Sequence, residues 1–101
     1  MKLSLMDRLG VITSLPIRGS ALQLKLARDI TDKAAPTEKE RKDYDIVDSD
    51  GKISWNDSGK ESMVDIDFTG SETAFIQGIL KDLDDKEKLT AGMLPLYDKF
   101  T

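Results

Sequence analysis

The chain has 101 residues with 15 Lys/Arg, 19 Asp/Glu and a formal net charge of −4, enough for one domain around one core and too little for two. It has no cysteine and no histidine, which excludes disulfides, thiolate chemistry and the usual neutral-pH acid/base, and removes the commonest transition-metal ligand. The charge is unevenly spread: nine Lys/Arg face six Asp/Glu up to Asp43 (+3), and six face thirteen from Tyr44 onward (−7).

Asp7 and Arg8 interrupt the apolar start MKLSLMDRLG before a secretory core can form. No later run approaches the ~18 apolar residues of a membrane span. A cytoplasmic protein with no membrane partner is the expectation.

Ser4 is placed to cap a first helix with Leu5, Leu9 and Ile12 at helical spacing and Met6 alongside. Leu15-Pro16 stops it, because the residue before proline avoids the α region. Ser20 caps a second helix whose stripe of Leu22, Leu26 and Ile30, widened by Leu24 and Ala27, suggests burial on more than one side. Thr37 with Glu40 three residues later reads as a capping box for a short, charged third helix ending near Asp43, a solvated connector anchored by Tyr44.

From Tyr44 to Phe68 the apolar period becomes two. Asp50-Gly51 tolerates the positive φ of a type I′ turn, so Ile46-Val47 is expected to pair with Ile53 to Trp55. After a turn at Asp57 to Lys60, Val64, Ile66 and Phe68 fall on one face and Met63, Asp65 and Asp67 on the other. The pattern predicts a three-stranded antiparallel meander.

Thr69 with Glu72, or Ser71, caps a fourth helix carrying Phe75, Ile76, Ile79, Leu80 and Leu83, expected to lie across that apolar face. Gly78 inside it suggests a close approach to another element. Thr90 opens a last helix with Met93, Leu96, Tyr97 and Phe100, bent or shortened by Pro95. The predicted fold is α+β: two to three N-terminal helices, the meander, and two C-terminal helices packing on the sheet.

Four acids stand out as candidate site residues. Asp48 and Asp50 belong to DSDGKIS, which echoes the centre of a calcium loop, but Ile46 occupies the first ligand position, and a plain hairpin turn is the better reading. Asp65 and Asp67 lie two apart on one strand face, a spacing that suits Mg²⁺ or an acid/base pair, though it equally describes the wet side of a half-covered sheet. Lys25, Arg28, Lys33, Lys39, Arg41 and Lys42 alternate with acids and lack interleaved aromatics, so they read as a solvated helical face and no nucleic acid is expected. Trp55 and Tyr97 are read first as core.

The order of parts resembles small uncharacterised proteins encoded by phages and prophages, which share two leading helices, a charged helix, an I-x-W hairpin, an amphipathic helix and a Leu-Thr … Leu-Tyr-x-Lys-Phe ending. Ile53, Ser54, Trp55, Leu89, Thr90, Leu96, Tyr97, Lys99 and Phe100 carry the resemblance. It implies a phage-type accessory protein without an assigned activity, and it transfers no functional residue.

The functional expectation is a non-enzymatic interaction module that needs no cofactor and acts through the acidic sheet at Asp48, Asp50, Asp65 and Asp67, with a protein partner or a second copy of itself. The alternative is a small metal-dependent hydrolase or nuclease using Asp65 and Asp67.

Overall fold

The computed structural model describes residues 1–49 and 52–101. The chain is α+β, in the order β1 (Lys2–Ser4), α1 (Leu5–Ser14), α2 (Ala21–Ala34), α3 (Glu38–Asp43), β2 (Val47–Ser49), β3 (Lys52–Ser54), α4 (Asp57–Lys60), β4 (Met63–Asp65) and α5 (Gly70–Asp85). A 3-10 turn at Ala91–Met93 then leads into α6 (Leu94–Phe100). No helix among the described residues is long and apolar enough to cross a membrane.

The three-stranded meander does not form. The strands make two separate antiparallel pairs: β2 with β3, in the register Val47↔Ser54, Asp48↔Ile53 and Ser49↔Lys52, and β4 with β1 at the start of the chain. There Lys2 faces Asp65, Leu3 faces Val64 and Ser4 faces Met63. The hairpin expected at Ile46 to Trp55 is therefore present in its strands, while its turn residues, Asp50 and Gly51, lie outside the described residues. The physical reason for the changed pairing is Leu3. Beside β4 it is fully buried in the core with Ile66, Ile76 and Leu80, whereas every residue of β2 and β3 is exposed. Hydrophobic burial selects the strand that delivers a leucine to the core over the one that is closer in sequence.

The alternation along β4 and beyond it holds: Ile66 is buried, Val64 and Phe68 are half-buried against the core, and Met63, Asp65 and Asp67 are exposed. Helix α5 covers this face through Ile76 and Leu80, with Phe75 partly buried beside them. Helix α6 adds Leu96 and Phe100, the latter ring 6.0 Å from that of Phe68. Pro95 sits in the first turn of α6, where its missing N–H is harmless, so it starts this helix instead of bending a longer one.

Three helical faces differ from the periodic reading. In α1 the buried residues are Leu5, Asp7, Arg8 and Val11, while Leu9 and Ile12 are only half-buried and Met6 is exposed. In α2 the inward residues are Ala27, Ile30 and Ala34, while Leu22 and Leu24 face solvent. Gly78 has open space where its Cβ would stand, so no element among the described residues approaches it there. A glycine at a close approach between elements is Gly59, whose Cβ would lie 2.9 Å from Trp55 and 3.0 Å from the Tyr44 side chain.

Candidate functional site

Four helices open on capping boxes: Ser4 with Asp7, Ser20 with Gln23, Thr37 with Glu40, and Thr69 with Glu72. In each, the side chain at the third helical position accepts from the cap N–H and the cap hydroxyl accepts from the third N–H. The three acids among them also take a cation from a distant element. Asp7 pairs with Lys99 of α6, Glu40 with Arg8 of α1, and Glu72 with Lys33 of α2. The starts of α1, α3 and α5 are thereby fastened to another helix.

The Arg8 clasp is the most elaborate. Its side chain is buried, donating from Nε to the Ala34 carbonyl at 3.0 Å and from one terminal nitrogen to the Ala35 carbonyl at 3.2 Å. The guanidinium also forks onto Glu40 at 2.7 and 3.0 Å. It closes the last turn of α2, whose carbonyls lack helical partners, and ties that end to α3. The Arg8 hydrogen bond holds the Glu40 carboxyl at about 2, well below its ordinary 4.5, against a smaller opposing effect of burial. For Glu72, burial pushes upward most strongly. Its hydrogen bonds from Lys33 and Thr69 together outweigh that, and the carboxyl lies below its usual range. These charges are structural and fully partnered: among the described residues no buried side-chain nitrogen or oxygen lacks a hydrogen bond.

The predicted acidic site residues that the structure describes lie on separate segments of the chain. Asp65 belongs to the β1–β4 pair, where the Met1 ammonium donates to its Oδ1 at 2.7 Å and to the Ile66 carbonyl at 3.2 Å. That hydrogen bond lowers the Asp65 carboxyl from its ordinary value. Asp67 is exposed beyond the end of β4, Asp48 lies on the separate hairpin, and Asp50 lies outside the described residues. Among the described residues no three His, Cys, Asp or Glu side chains come together to hold a metal ion.

The structure instead opens a groove that periodicity did not reveal. Met6, Leu9 and Thr13 of α1 form one wall, Ile53 and Trp55 of the hairpin a second, and Met93 and Leu96 of the C-terminal segment a third, around about 310 Å³. An adjoining section of about 490 Å³ continues past Ser54 to Lys60. Met6 and Trp55 line both.

Trp55 is consequently not a core residue. It is half-buried, set by its contact with Gly59 on one side and open to the groove on the other. The hairpin base is held at the same point: Asn56 caps α4 by accepting from Gly59 N–H at 2.9 Å and donates from its amide to the Asp43 carbonyl at 3.0 Å. Asn56 N–H donates to the Tyr44 carbonyl at 2.8 Å. Asp45, at φ +49°, turns the chain from α3 into β2, a conformation that Asp adopts more readily than most residues. Tyr44 thus acts as the expected anchor between the charged helix and the hairpin. The sequence signal for the groove was the exposed-face position of Met6, which a helical wheel centred on Arg8 instead of Leu9 places outward.

Comparison of the chain with protein-family models, with curated proteins and with solved structures finds no match.

Proposed function

We propose that this chain is a non-enzymatic interaction module that engages a protein partner through the groove between α1, the β2–β3 hairpin and the C-terminal segment. One observation carries the reading: Met6 and Ile53 are exposed beside half-buried Trp55, forming a concave apolar surface on elements fixed by Arg8–Glu40 and Asp7–Lys99. A rigid aromatic ring beside adaptable methionine side chains around a preformed concavity suits a binding surface. Of the acidic residues expected to meet a partner, Asp48 is the one this reading retains, supported by its register directly opposite Ile53, on the same face of the hairpin.

The exposed leucines of α2 support a self-association surface less well. Leu22 and Leu24 are two residues apart, hence about 200° around the helix, and do not make one stripe. The test is affinity capture of host proteins on three forms: wild type, Met6→Glu with Ile53→Glu, and Asp65→Lys with Asp67→Lys. A partner lost only from the groove variant supports the proposal, and a partner lost only from the Asp65/Asp67 variant moves the interface to β4.

A further inference from the structure

We infer that the groove accepts a partner segment combining a large apolar side chain with an acidic residue, whose carboxylate meets Lys60. The inference rests on the interaction-module reading and specifies the chemistry of its partner. The whole chain has more acids than bases, yet among the described residues no carboxylate lines the adjoining sections of the groove, and the charged side chain lining two of them is Lys60. It lines these sections together with Met6 and Trp55, and a lysine stem covers apolar surface while its ammonium stays in water. The only carboxylate within ion-pair reach of it among the described residues is Asp57, 3.5 Å away, and both side chains are largely exposed. Such a pair holds its cation weakly.

A segment that fills the groove also covers part of Lys60. An apolar segment alone leaves that ammonium poorly solvated, a basic one sets like charges together, and an acidic one completes it.

Trp55 is the single tryptophan, so its emission reports on the groove alone when the probe lacks tryptophan. The experiment selects binders from a random-peptide library encoding no tryptophan, against the full chain and against Lys60→Glu. Circular dichroism checks the fold of this surface variant. The expected result is wild-type binders that shift Trp55 emission and pair a large apolar residue with Asp or Glu, and Lys60→Glu binders that exchange the acid for Lys or Arg. Binding of a wild-type peptide to Lys60→Gln should be weaker by about fivefold or more, the scale of one partly desolvated charge pair. Peptides that shift Trp55 emission without acidic enrichment, or that bind Lys60→Gln equally well, would overturn the inference and leave the groove reading standing. Selected peptides that leave Trp55 emission unchanged would overturn both.

Discussion

Arg8 and Glu40 form a two-pronged ion pair across 32 residues of sequence, with the Arg8 side chain 3% exposed and that of Glu40 19% exposed. Because the same guanidinium also serves the Ala34 and Ala35 carbonyls, removing it strands a carboxylate and two main-chain acceptors at once. Breaking a buried pair from one side typically costs about 3–5 kcal/mol. Arg8→Ala is expected to lose that much in urea denaturation. Arg8→Lys should recover only part of it, since an ammonium cannot reproduce the planar fork. A loss below about 1 kcal/mol for Arg8→Ala would show that α2 and α3 are held by other contacts.

The same pair sets an acid limit. The folded-state carboxyl of Glu40 lies at about 2 against an ordinary 4.5, so its contribution is fully present above pH 4.5 and is lost as pH falls toward 2. Glu72, also lowered, acts in the same direction. The stability difference between wild type and Glu40→Gln is expected to be constant near neutrality and to shrink between pH 4.5 and 2. A difference that stayed constant through this window would remove Glu40 from the account of acid unfolding.

Two glycines should respond with opposite signs. Gly78 is exposed in the middle of α5 with nothing near its missing Cβ, and Gly78→Ala is expected to stabilise by about 0.5–1 kcal/mol. Gly59 is buried against Trp55 and Tyr44. Gly59→Ala should cost about 1–3 kcal/mol as the neighbours shift, and should change Trp55 emission. Thermal denaturation of both variants, with fluorescence of the second, reads these outcomes.

In the core, Ile76→Ala and Leu80→Ala should each cost about 2–5 kcal/mol, because both are fully buried among Leu3, Ile30 and Leu96. Ile79→Ala should cost less, its side chain being only half-buried. Equal losses at positions 76 and 79 would mean that α5 is rotated about its axis.

What was legible in the residues was local. Thr37/Glu40 and Thr69/Glu72 marked their helix starts because a capping box is written within four residues, and Val64, Ile66 and Phe68 showed their face by strict alternation. The partner of β4 was not legible. Lys2–Ser4 is too short to display a strand period, and it pairs with residues some sixty positions away. The faces of α1 differ from the stripe of Leu5, Leu9 and Ile12 because Arg8 points inward to meet carbonyls and a carboxylate that sequence spacing does not connect to it. The groove was hidden for the same reason: turning α1 to bury Arg8 brings Met6 out beside Trp55.

The central claim, that the Met6–Ile53–Trp55 groove is where a partner docks, is tested most directly by photo-crosslinking in the native host. A benzophenone side chain at position 53 is compared with one at position 22, where Leu22 is 68% exposed on the separate surface of α2. The expected result is a discrete covalent adduct with another protein from position 53 that disappears in a Met6→Glu background, and none from position 22. Adducts from position 22 with none from position 53 would contradict the claim.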